Sequence, residues 1–177
     1  KGAAIGQKRS DRATKEGVIV TRVSNNGKTG VVVEVNCETD FVGRSEDFIR
    51  FVHAVAEVVE IHNPQALDAI SSLTTPTGKN VADLMNDVLA RVAEKIDIRR
   101  FDVFQASSGI VSAYTHLGNR IGVLVELEGI AAGTPVARDV AMQIAAMNPA
   151  VVTRDQVDKA WIERELDIYR VQAKNEG

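Results

Sequence analysis

The sequence holds a single cysteine in 177 residues. Cys37 can therefore form no disulfide within the chain, and a lone thiol fits a reducing compartment better than a secreted setting. An unreactive, half-buried side chain is the expectation for it. No charge of one sign dominates, because 21 Lys and Arg stand against 24 Asp and Glu for a net charge of −3. With the signs interspersed, this is a poor electrostatic footprint for a polyanion, and direct nucleic-acid binding is not expected. No apolar run approaches the roughly 20 residues of a membrane-spanning helix. The opening "KGAAIGQKRSDRATKEG" also lacks the apolar stretch of a signal peptide. These absences point to a cytoplasmic protein with no membrane attachment. A chain of this length buries roughly 70% of the surface that its unfolded form exposes, so a core needs neither disulfide nor metal.

Aromatic side chains are scarce as well, 5% of the residues, which makes the segment "VNCETDFVGRSED" (35–47) conspicuous. It sets Phe41 among Asn36, Glu38, Thr39, Asp40, Gly43, Arg44, Ser45, Glu46 and Asp47, in a largely polar connection. Such a ring either folds back into the core or waits for a partner.

The chain contains an internal repeat. "GVIVTRVSNNGKTGVVVEV" (17–35) aligns without a gap on "GIVSAYTHLGNRIGVLVEL" (109–127), so that Gly17 meets Gly109, Lys28 meets Arg120, Gly30 meets Gly122 and Glu34 meets Glu126. In each copy a β-branched run passes through a Gly/Asn turn into a second apolar run, the pattern of an antiparallel hairpin. The near-continuous "VVVEV" and "GVLVEL" predict strands covered on both faces, or on one face and an edge. A helix that stops at Asn-Pro follows each hairpin. Ser45 caps the first, with Glu46 and Asp47 in its first turn and Phe48, Phe51, Val52, Val55 and Val59 as its apolar stripe. Thr134 caps the second, with Pro135 in first position and Val136, Val140, Ala141, Ile144 and Met147 as the stripe. A further helix comes after each: Asn80 opens one carrying Val81, Leu84, Val88, Val92 and Ile96, and the capping-box pattern Thr153-Arg154-Asp155-Gln156 opens another running through Trp161 to about Ala173. "IDIRRFDVFQA" then closes the first copy as a strand with an irregularity at Arg99-Arg100.

The expected fold is α+β: two duplicated ββααβ units, small antiparallel sheets with helices packed on one face, the second unit lacking its last strand. Residues 1–16 are a leader or linker, 17–108 an N-terminal core subdomain, and 109–177 an incomplete C-terminal core subdomain. The stretch from Val35 to Asn63 is longer than its counterpart from Leu127 to Asn148. Phe41 falls in the extra residues, which favours contact over packing without deciding between them.

Signs of catalysis are weak. Gly27-Lys28-Thr29 resembles part of a phosphate-binding loop, but Arg22 stands where its first glycine belongs and the turn joins two strands, so Lys28 is read as a solvated turn residue. His53, His62 and His116 have no metal-ligand spacing. His53 belongs on or beside the helical core face, His62 at a helix end, and His116 at the head of the second hairpin turn, as surface filler or a contact. Glu38 with Asp40, or Thr39 and Ser45 as nucleophiles, lack any base-orienting set. Met85, Met142 and Met147 are expected in the core, and Trp161 in packing with partial exposure. No cofactor or metal is expected, and no enzyme.

"VNCETDFVGRSEDF", "IDIRRF", "YTHLGNRIGVLVEL", "VARDVAMQIAAMNP" and "IERELDIYRVQAKNEG" together closely resemble the bacterial elongation factor Ts family, over nearly the whole chain. The resemblance implies a guanine nucleotide exchange factor for elongation factor Tu, a GTPase. Its Asp-Phe tip, here Asp40 and Phe41 within Thr39-Asp40-Phe41-Val42, would enter an apolar pocket beside the magnesium site of the GTPase and release GDP. His116 matches a further contact. The resemblance also implies a small ubiquitin-associated-like domain before this region. After it would come a helical insertion used in dimerisation, which leaves a homodimer open, and then a closing strand. A non-exchanging module that binds or assembles a GTPase is the alternative, and an enzyme with a cleft between the units is a third.

Overall fold

A computed structural model describes residues 11–176; the expected leader lies outside the described residues up to residue 10. Two compact units divide the chain between Ala146 and Met147.

In the first unit, β1 (Glu16–Val23) and β2 (Thr29–Cys37) form an antiparallel hairpin, and β3 (Ile96–Gln105) pairs antiparallel with β2 on its other edge. Between β2 and β3 run a single helical turn, α1 (Asp40–Gly43), then α2 (Glu46–His62), a 3-10 segment (Asp68–Ser72) and α3 (Val81–Val92). A second hairpin, β4 (Ile110–Thr115) with β5 (Gly122–Leu127), makes a separate two-stranded antiparallel sheet. The fold is α+β, with small antiparallel sheets and helices.

Strand β2 is covered on both faces, which is why it reads as an almost unbroken apolar run. Val18, Val20, Val31, Val33 and Val35 form one core with Phe48, Val52, Val55 and Val59 of α2 and Val81, Val88 and Leu89 of α3. The opposite face receives the second hairpin. There a Cβ on Gly122 would overlap the side chains of Ile19, Thr21 and Val32, and one on Gly30 would overlap Val111. Backbone bonds join the hairpins at both ends: Ile19 N–H donates to Asn119 O at 2.7 Å, and Val111 N–H to Gly27 O at 2.7 Å. Lys28 reaches Gly109 O with its ammonium at 2.6 Å, so it bridges the hairpins instead of standing in solvent.

Helix ends follow local chemistry. Ser45 caps α2 by accepting from Phe48 N–H, Asn63 ends it at φ 43° ahead of Pro64, and Asn80 caps α3. The irregularity in β3 is a bulge at Arg99, since Glu34 pairs with Arg100 and Val35 with Ile98.

Other expectations need correction. α3 stops at Val92, where Ala93 turns left-handed at φ 55°, so Ile96 belongs to β3. Helix α4 (Pro135–Met147) buries Ala137 and Ala141, while Val136 and Met147 are exposed. Thr134 turns its hydroxyl back to donate to Ala131 O. His53 faces solvent, one position off the buried stripe.

In the second unit, Thr153 and Gln156 form the expected capping box, but it closes a single 3-10 turn (Arg154–Gln156). Helix α5 (Lys159–Glu176) starts later, at Asp158, whose carboxylate accepts from Ala160 N–H and whose carbonyl accepts from Trp161 N–H. Ile162, Leu166 and Tyr169 of α5 are exposed. So is Trp161, whose indole N–H donates to Glu165.

Candidate partner-binding site

Phe41 is 84% exposed. A lone four-residue turn is too short to sustain itself, because helix nucleation fixes several dihedrals for one hydrogen bond. What holds the ring outward is the set of bonds around α1. Thr39 accepts from Val42 N–H through its hydroxyl and from Gly43 N–H, at 3.1 Å, through its carbonyl. Asp40 O accepts from Arg44 N–H, and Val42 O accepts both the Ser45 N–H and its hydroxyl. Val42 faces inward and belongs to the same buried cluster as Cys37. The turn therefore divides its apolar residues, Val42 into the core and Phe41 into solvent.

Cys37 lies fully buried under this turn and donates its S–H to Thr39 O at 3.1 Å. Burial, with the nearby carboxylates of Glu94 and Glu16, pushes its thiol up to about 11, and a thiol kept protonated is a poor nucleophile. The inert reading of Cys37 holds, with burial complete instead of partial.

A reciprocal clasp ties this turn to the connection between α3 and β3. The Glu94 carboxylate accepts from Thr39 N–H at 3.0 Å and from the Thr39 hydroxyl at 2.7 Å. Glu38 accepts in return from Lys95 N–H at 2.7 Å and from Arg12 Nη1 at 3.0 Å. Thr39 thus uses its hydroxyl twice, donating to Glu94 and accepting from Val42. Asp40 pairs with Arg44 at 3.1 Å, with 45% of its side chain exposed.

The second hairpin turn carries His116, whose Nδ1 lies 2.9 Å from Tyr114 Oη. Leu117 next to it is 89% exposed. A groove of about 410 Å³ has Asp40, Gly43 and Arg44 along one wall and Gly118, Asn119 and Arg120 along the other, and Arg120 pairs with Glu16. Of the predicted residues, Asp40 borders this concavity, opposite the residues that follow Leu117 in the second turn, while Thr39, Phe41, Val42 and His116 are not among its lining. His53 and His62 lie elsewhere; His62 bonds Thr74 O at the end of α2.

Sequence reasoning missed two residues here. Leu117 carried the signal that flagged Phe41, an apolar side chain in a polar turn. Glu94 carried none, because its partner Thr39 is 55 positions away.

A second groove, of about 350 Å³, runs between α2 and α3 with Phe51, Leu84 and Val88 in its lining. Its charges neutralise one another: Asp47 bonds Arg50 and Arg91, which lower its pKa, and Lys79 bonds Asp87. Among the described residues no cluster of His, Cys, Asp and Glu could hold a metal ion, and no helix is long and apolar enough to cross a membrane. The site presents an aromatic ring, outward, from a turn whose Thr39 is bonded by Glu94 and Cys37.

The family model described as Elongation factor TS matches residues 38–177. The proteins named Elongation factor Ts from Clostridium perfringens (strain SM101 / Type A) and Prosthecochloris aestuarii are 41% and 40% identical across the whole of this chain. The one from Clostridium kluyveri is 39% identical. The chain spans 59%, 63% and 60% of these relatives, respectively.

Proposed function

The chain belongs to the elongation factor Ts family, and from that premise we propose that it serves translation as a guanine nucleotide exchange factor for elongation factor Tu in the cytoplasm. It does so by contact, with no chemistry of its own. Phe41 enters an apolar pocket of the GTPase, Asp40 accompanies it toward the magnesium site, and GDP leaves. Thr39 and Val42 fix the turn from which the ring projects, and His116 adds a contact from the second hairpin. The observation that carries this reading is the exposure of Phe41 on a turn held by backbone bonds of its own and by its Thr39 cap.

Magnitudes set what the ring can do. A thousandfold acceleration of release needs about 4 kcal/mol of barrier change, whereas burying one Phe contributes about 1.5 to 3 kcal/mol. Phe41 therefore acts with other contacts, and the groove between its turn and the turn of His116 and Leu117 is where this chain offers them. Because the turn is already formed, little ordering entropy opposes docking.

We also propose that residues 17–108 form one ββααβ unit and that residues 109–177 repeat it without the last strand. Equivalent glycines support it: Gly17 and Gly109 each leave no room for a Cβ against the carbonyl of Val35 or Leu127, and Gly30 and Gly122 each admit side chains of the other hairpin.

The exchange reading is tested by measuring release of labelled GDP from elongation factor Tu with and without this protein. Acceleration is expected. Binding with unchanged release would instead support a module that holds the GTPase without exchanging its nucleotide.

A further inference from the structure

Glu94 lies in the short connection after α3, which turns sharply because Ala93 adopts a left-handed conformation at φ 55°. A non-glycine residue there costs roughly 1 kcal/mol, so the turn persists only with compensating bonds. The turn brings one carboxylate onto both donors of Thr39, its N–H at 3.0 Å and its hydroxyl at 2.7 Å. The next residue, Lys95, gives its N–H to Glu38. Thr39 is also the N-cap of the turn that projects Phe41. No other side-chain bond links the α3–β3 connection to Thr39 among the described residues.

Resting on the exchange reading, we infer that Glu94 is a positioning residue for the wedge: by fixing Thr39, it sets the direction in which Phe41 projects before any partner arrives. Thr39 orients its hydroxyl hydrogen toward Glu94, which leaves the oxygen's lone pair for Val42 N–H. Removing the carboxylate frees the hydroxyl to rotate and leaves the Thr39 N–H to water. The cap then weakens, and the turn is left to its own backbone bonds and to the burial of Val42. The ring stays on the surface but samples many directions, so ordering it becomes a cost of docking.

The test uses the full natural chain, with Glu94→Ala and Glu94→Gln made in the wild-type and Phe41→Ala backgrounds. Stimulated GDP release from elongation factor Tu is read together with amide hydrogen exchange of the free protein. Glu94→Ala should lower the exchange efficiency by about tenfold, as expected for losing hydrogen bonds to a charged acceptor. In the Phe41→Ala background the same change should cost less than about twofold, because the two residues act as one unit. Glu94→Gln should recover to within about threefold of wild type, its carbonyl accepting from Thr39 N–H while its amide donates to the hydroxyl oxygen. In the free protein, the amides of Val42, Gly43 and Arg44 should exchange faster in Glu94→Ala, with those of Val55 to Val59 in α2 unchanged.

Wild-type efficiency of Glu94→Ala, an equal loss in both backgrounds, or a uniform rise in amide exchange through α2 would each overturn the role assigned to Glu94. A Phe41→Ala protein that exchanges at the wild-type rate is a different result: it overturns the wedge itself.

Discussion

Two phenylalanines ten positions apart face opposite worlds. Phe41 stands in solvent, whereas Phe51 is 4% exposed among the valines of the core. Truncating a buried Phe removes both transfer free energy and packing, about 3 to 5 kcal/mol. Against a typical total stability of about 5 to 15 kcal/mol, Phe51→Ala should unfold at a markedly lower denaturant concentration, and an unchanged midpoint would refute its place in the core. Cys37 gives a pH signature at the same scale. Folding raises its thiol from the ordinary 9.0 to about 11, so the folded state holds the proton more tightly than the unfolded one. That contribution is intact below pH 9 and is lost as pH rises through about 11. Stability should therefore fall more steeply between pH 9 and 11 in the wild type than in Cys37→Ala. Parallel profiles would contradict the buried thiol.

Among the elements, the close approach of the two hairpins depends on glycine. Gly122 sits where a Cβ would overlap Ile19, Thr21 and Val32, so Gly122→Ala should cost about 1 to 3 kcal/mol by overpacking, read as a shifted denaturation midpoint. A neutral substitution would mean that the hairpins do not pack this way. The elements also separate what sequence reveals from what it conceals. Ser45, Asn63-Pro64 and Asn80 mark helix ends through bonds to residues within a few positions, and each mark was legible. So was the bulge at Arg99, from two adjacent arginines inside an apolar strand. Faces were harder to read, because a face is set by whatever packs on it: Val136 and Met147 look like core beside Ala141, yet they are exposed, and only Ala137 and Ala141 of this helix are fully buried. Thr134 and Thr153 are sound capping residues whose hydroxyl or box served a different turn. At the candidate site, Phe41 declared itself by being apolar in a polar segment. The Glu94 clasp was invisible, since it joins residues 55 positions apart.

Across the molecule, the parts divide into support and contact. The sheet β1-β2-β3 is held from one side by α2 and α3 and from the other by the second hairpin, and this places the Phe41 turn and the Leu117 turn on either side of one groove. Phe41 and Leu117 are the exposed aromatic and aliphatic side chains of these two turns. The near balance of charge leaves no strong field to attract a polyanion. By linkage, a factor that weakens nucleotide binding to its GTPase is itself weakened by nucleotide. The most direct measurement compares wild type with Phe41→Ala in stimulated release of labelled GDP from elongation factor Tu, alongside thermal unfolding of each free protein. An exposed residue changes stability by no more than about 0.5 kcal/mol, while a lost interface anchor costs about 2 kcal/mol or more. The expected result is an unchanged melting temperature with release slowed roughly thirtyfold. A folded Phe41→Ala protein that stimulates release at the wild-type rate, or one that melts as early as Phe51→Ala, would contradict the account.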